Sequence, residues 1–151
     1  MGKSCFFIGH REASTEVLPM LEAEIERHIL EYGVTEFTVG RYGGFDRLAA
    51  GAVIRAKKRY PQVTLTLLLP YHPAQCPIEK PAGFDSTFYP PGMEEVPPRY
   101  AIVRANRNMV ERVDFLIAYV WHPASNAREL TEYARRREQK GLITVTVIKT
   151  T

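Results

Sequence analysis

Five short apolar runs alternate with segments whose apolar residues recur at helical spacing, and this alternation constrains the fold more than any other feature of the chain. Residues 5–8, Cys-Phe-Phe-Ile, form a wholly apolar run stopped by Gly9. Runs of this kind read as strands buried on both faces, as in a parallel sheet. Similar runs lie at 37–39, 63–69, 115–120 and 142–148, the third and fifth with threonines interleaved. Between the first two, Leu18, Leu21, Ile25, Ile29 and Tyr32 repeat at helical spacing, with Ser14 or Thr15 as the expected cap and Gly33 as the expected stop. Leu48, Ala49, Ala52, Val53 and Ala56 give a second helix a small-residue face suited to close packing on a sheet. Further helices are expected over 99–113 and 127–139, the last capped by Ser125 or Asn126 and closed by Gly141.

Strictly alternating strands and helices call for an α/β fold, a mainly parallel sheet with helices on both faces. Right-handed crossovers make it doubly wound, with five strands in the expected order 3-2-1-4-5. That order puts a switch point between the first and fourth strands, and ligands of open α/β sheets bind outside the carboxyl ends of the strands at such a point. A chain of 151 residues fits one domain, taken as 1–151. The exception to its regularity is 70–98, which holds eight of the eleven prolines together with Tyr71, His72, Phe84, Phe88 and Tyr89. So long a loop in a compact domain is expected to be a binding loop or lid.

The formal net charge of +3 is mild, and no basic stripe stands out along the chain, so nucleic acid is expected to be an improbable partner. Two cysteines and four dispersed histidines show no metal-ligand spacing, so neither a metal nor another cofactor is expected. No apolar run reaches membrane-spanning length, and the first residues do not form a signal peptide. The expected setting is the cytoplasm, without membrane association. A homodimer is a further, weaker expectation.

Chemistry concentrates after the strands. The stretch 39–50 places Gly40, Gly43 and Gly44 between a strand and a helix, where bare backbone can approach a ligand and a helix N-terminus favours an anion. Asp46 then caps the helix or binds a ligand hydroxyl. Gly9, His10 and Arg11 come directly after the first strand. Arg11 can pair bidentately with phosphate and His10 can act in acid–base chemistry near neutral pH. The competing reading of both is that they brace the turn through backbone hydrogen bonds. Ser125 and Asn126 open the last helix, Arg104 lies near the start of the third, and Trp121, His122, His72 or Tyr42 can line the mouth or stack on a base.

The segments 5–11, 40–50, 106–110 and 114–118 resemble the SLOG superfamily of Rossmann-like domains, which includes the LOG phosphoribohydrolases, the DNA-processing DprA proteins and the YpsA-like bacterial group. The YpsA-like group is the most similar of these. Gly9-His10-Arg11 and Gly40-x-x-x-Gly44-Phe45-Asp46 carry the resemblance most specifically, and Asn106 matches a third motif. The resemblance implies a Rossmann-like three-layer sandwich and a nucleotide or nucleotide-derived ligand in the crevice. LOG enzymes have a glycine-rich loop and a glutamate after the fourth strand, whereas 123–129 reads Pro-Ala-Ser-Asn-Ala-Arg-Glu. Glu129 is the residue nearest that glutamate.

The leading expectation is therefore a sensor or regulatory protein. It would bind a nucleotide-like small molecule through Gly9, His10, Arg11, Gly40, Gly43, Gly44, Asp46, Arg104, Asn106, Ser125 and Asn126. The first alternative is LOG-like cleavage of the N-glycosidic bond of a nucleoside monophosphate, with Glu129 and His10 as candidate catalytic groups. The second is DprA-like binding of single-stranded DNA.

Overall fold

The central strand of the sheet is β1 (Lys3–Gly9), and the chain builds outward from it in both directions. The computed structural model describes residues 2–122 and 125–149. From β1 the chain runs through α1 (Leu18–Tyr32), β2 (Val34–Val39), α2 (Gly44–Arg59), β3 (Thr64–Leu68) and β4 (Ser86–Phe88). It then crosses back through α3 (Ala101–Val110) to β5 (Phe115–Tyr119), α4 (Asn126–Gln139) and β6 (Thr144–Ile148). All pairings are parallel, in the order β4-β3-β2-β1-β5-β6.

Alternate side chains of β1 serve two cores, which is why the run reads as continuously apolar. Cys5 and Phe7 join the α1/α2 side, with Leu21, Ile25, Ala49, Ala52 and Val53. Phe6 and Ile8 join the α3/α4 side, with Ala105, Met109, Leu130 and Ala134. The alanines of α2 let that helix sit close to the sheet, and Gly33 ends α1 in the left-handed conformation at φ 72°. A single turn of 3-10 helix, Thr15–Val17, comes between Ser14 and α1, so the α-helix begins at Leu18, four residues after Ser14. At the far end of the sheet the Asp114 carboxylate accepts from the Ser4 N–H at 3.0 Å and ties β5 to β1.

The expected order of five strands is present, but the sheet has six. The additional strand, β4, comes from within the proline-rich segment 70–98 and pairs with β3, Thr66 opposite Ser86 and Leu68 opposite Phe88. Asp85 docks it: its carboxylate accepts from the Leu65 N–H at 2.8 Å and from Lys57 Nζ at 2.7 Å, while its own N–H donates to the Leu65 carbonyl. β4 thus covers what would otherwise be the open edge of β3. The segment is therefore not a simple lid. It crosses to the sheet edge, returns through 3-10 turns at Met93–Glu95 and Pro98–Tyr100, and buries Met93 in the α3/α4 core. Among the described residues no helix is long and apolar enough to cross a membrane.

Candidate functional site

Parallel strands end together, and their carboxyl ends open into a crevice of about 230 Å³. Gly9, His10 and Arg11 enter it from the end of β1, Gly40, Tyr42 and Asp46 from the β2–α2 turn, and Leu68 and Pro70 from the end of β3. Ile102, Val103, Ala105 and Asn106 of α3 form one wall, and Ser125, Asn126, Ala127 and Leu130 of α4 complete it. The volume lies at the small end for a ligand pocket.

The glycine turn has a different task from the one expected. The N–H of Gly44, the first residue of α2, donates to the Arg11 carbonyl at 2.7 Å, and the Phe45 N–H donates to the His10 carbonyl at 3.3 Å. The start of α2 therefore holds the β1–α1 loop, and these two donors are not directed at an anion. A Cβ on Gly44 would fall 2.6 Å from the Arg11 carbonyl oxygen, and one on Gly43, whose φ is 151°, would fall 2.8 Å from the Arg11 Cα. Gly9 is constrained likewise, since a Cβ there would lie 2.3 Å from the Phe45 ring. Gly43 and Gly44 do not line the crevice; Gly40 does.

Asp46 stands in the first turn of α2, and its carboxylate accepts from the Tyr42 N–H at 3.2 Å, closing the turn before the helix. Burial raises its pKa to about 6, opposed by that hydrogen bond. It is the one carboxylate among the described residues that line the crevice.

His10 Nε2 accepts from two consecutive N–H groups, those of Trp121 at 2.9 Å and His122 at 3.0 Å. Both bonds require an unprotonated Nε2, so the ring is neutral with its proton on Nδ1. Burial lowers its pKa, and the neighbouring His122 and Arg128 side chains add to the effect. His10 thus pins the loop after β5. That loop then delivers Ser125, whose Oγ caps α4 by accepting from the Arg128 N–H at 3.1 Å. Pro123 and Ala124, part of the turn expected at 121–126, lie outside the described residues.

Arg11 lines the crevice and is exposed, and among the described residues its guanidinium has no ion pair or hydrogen bond. It is the cation a ligand would meet first. Asn106, Ser125 and Asn126 face the same space. Arg104 and Glu129 are exposed and do not line it. The apolar wall of Ile102 and Val103 was not among the expected site residues. Val103 is exposed there, which the sequence alone does not show.

No protein-family description matches the chain, and no curated protein matches it. Among solved structures, the chain is similar to DNA processing protein A from Helicobacter pylori, described for its unique single-stranded DNA binding mode. The TM-score is 0.61 at 15% identity, with 99% of this chain and 66% of that chain covered. The chain therefore spans just under two thirds of that protein's length. At this identity the likeness establishes a common Rossmann-like α/β fold.

It also overturns the expectation that nucleic acid is an improbable partner, because the fold is the one a single-stranded DNA-binding protein uses. That expectation rested on net charge, and the charges are unevenly placed. On the α3/α4 layer, over 98–112 and 126–140, nine basic side chains stand against four acidic ones. On the α1/α2 layer, over 15–32 and 44–59, six stand against six. The mild net charge of the whole chain conceals a one-sided distribution.

Proposed function

We propose that the crevice binds one nucleotide unit of single-stranded DNA, with a backbone phosphate held between Arg11 and the start of α4 and the base against Ile102 and Val103. The observation that carries this reading is that Arg11, without an ion pair or hydrogen bond to its guanidinium among the described residues, lines the same crevice as the Ser125-capped start of α4. A guanidinium and a helix N-terminus are both complements of phosphate. The fold shared with a single-stranded DNA-binding protein and the basic α3/α4 layer support the same partner. Within that fold, the motifs Gly9-His10-Arg11 and Gly40 to Asp46 support kinship with the YpsA-like group.

A second reading, a free nucleotide ligand, is favoured by one feature: Asp46 offers a half-buried carboxyl to a ribose hydroxyl. LOG-like hydrolysis draws less support, since Glu129 is outside the crevice and His10 Nε2 is engaged by two backbone donors. Fluorescence anisotropy with labelled oligothymidylate, competed by mononucleotides, tests the choice. The DNA reading expects saturable, salt-dependent binding that Arg11→Ala weakens at least tenfold. Binding of mononucleotides with no binding of the oligomer would select the second reading.

A further inference from the structure

Beyond the crevice, the most unusual grouping of side chains lies on the seam between α3 and α4. Three guanidinium groups converge on the Tyr133 ring: Arg107 at 4.4 Å from its centroid, Arg136 at 5.7 Å and Arg137 at 5.9 Å. Like charges gathered this closely repel one another, and the ring face recovers only part of that cost. Glu111 offsets one charge, through a 3.7 Å pair with Arg107 and by accepting the Tyr133 hydroxyl. Arg137 is turned inward, its Nη2 donating to the Glu111 carbonyl at 3.5 Å. Arg107 and Arg136 remain exposed to solvent. The cluster therefore keeps an excess of positive charge, held in position by a rigid ring on two packed helices.

Its place in the fold gives that charge a direction. Asn106 and Leu130 line the crevice. Arg107 is the next residue after Asn106, and Tyr133 lies one helical turn beyond Leu130. Arg107 and Tyr133 stand at the same depth along their helices, about 10 Å from the N-terminal ends. A chain leaving the crevice along the α3/α4 seam passes over the cluster.

We propose that Arg107 and Arg136, mounted on Tyr133, form a second phosphate subsite that holds the backbone of single-stranded DNA as it leaves the crevice. The subsite rests on the crevice being a site for single-stranded DNA. A strand of linked phosphates fits it better than a free nucleotide, because only a polymer reaches the crevice and the seam together. The second contact makes affinity depend on length.

The test compares R107A/R136A with wild type on oligothymidylates of about four and about twenty nucleotides across a salt series, with melting temperatures confirming that each variant is folded. The expected result is unchanged binding of the short oligomer and at least tenfold weaker binding of the long one. The slope of log affinity against log salt should fall by about 1.4, the value for two lost phosphate contacts on a single strand. R107K/R136K should retain most of the slope. K58A/R59A, which removes two cations from the end of α2, should change neither quantity. Wild-type affinity and slope in R107A/R136A, with Arg11→Ala still impaired, would overturn the subsite and leave the crevice reading standing. An equal loss in K58A/R59A would also overturn it. Failure of wild type to bind either oligomer would remove the crevice reading and the subsite with it.

Discussion

Two turns face each other across the crevice, and they reach comparable positions by opposite means. The β2–α2 turn is rich in glycine and spends its openness on the protein itself. Gly43 and Gly44 let the Arg11 backbone lie against the start of α2, whose first donors serve the His10 and Arg11 carbonyls. The loop before α4 has no glycine among residues 120–128, and is held instead by side chains, His10 just after β1 and Ser125 at the cap. A glycine turn is therefore not by itself a ligand cradle. The first turn contributes the placement of Arg11, and the second contributes a capped helix end at the same crevice.

The sharpest way to break this comparison is to fill the glycine turn. Gly44→Val should cost about 3 kcal/mol or more, because its side chain meets backbone that cannot yield without moving the β1–α1 loop. Chemical denaturation measures it, and a variant within about 0.5 kcal/mol of wild type would mean that the turn is not packed against Arg11. Next in size is Arg11→Ala. It should weaken binding of single-stranded DNA by about 2 kcal/mol while leaving the midpoint of unfolding unchanged, since its guanidinium has no ion pair or hydrogen bond among the described residues. Parallel loss of stability would assign Arg11 to the fold instead.

Asp46→Asn comes third and depends on pH. A carboxyl whose folded pKa is raised to about 6 costs stability when ionised, so that cost is present above that pH and disappears as the pH falls toward its ordinary value of 3.8. The variant should gain roughly 1–2 kcal/mol at pH 8 and nothing near pH 4. His10 and His28 have lowered pKa values, chiefly through burial, and act in the opposite sense. Their neutral folded forms lose stability as acid protonates the unfolded chain, equally in both proteins. The difference between the two melting curves across pH is the quantity to follow. A difference independent of pH would contradict the assigned ionisation. Smallest is Ser125→Ala, expected to cost about 1 kcal/mol by removing the cap from α4. A thermal melt of that variant indistinguishable from wild type would show that the α4 end does not rely on this side chain.

Much of the frame was legible in the residues. The runs at 5–8 and 115–120 are apolar on both faces because their strands are covered on both faces, and the relative order of five strands came from alternation and handedness. β4 was not legible. It is three residues long, carries one half-buried side chain, Phe88, and depends on Asp85, whose partners Leu65 and Lys57 lie far back in the chain. The position of the crevice was legible from the residues at the carboxyl ends of the strands, since His10, Arg11, Asp46 and Ser125 all border it. The work of the glycines was not, because a sequence shows that backbone can be approached closely but not by which partner. Nor did net charge reveal the basic layer, which emerges only once α3 and α4 are assigned to the same face of the sheet.

The central claim is that phosphate of single-stranded DNA sits between Arg11 and the start of α4. Crystals grown with a short oligothymidylate test it most directly. The predicted result is a phosphate oxygen within hydrogen-bonding distance of the Arg11 guanidinium and of the Ser125 or Asn126 backbone, with the strand continuing toward Arg107. An oligomer bound on the α1/α2 face, with the crevice empty and Arg11 untouched, would contradict it.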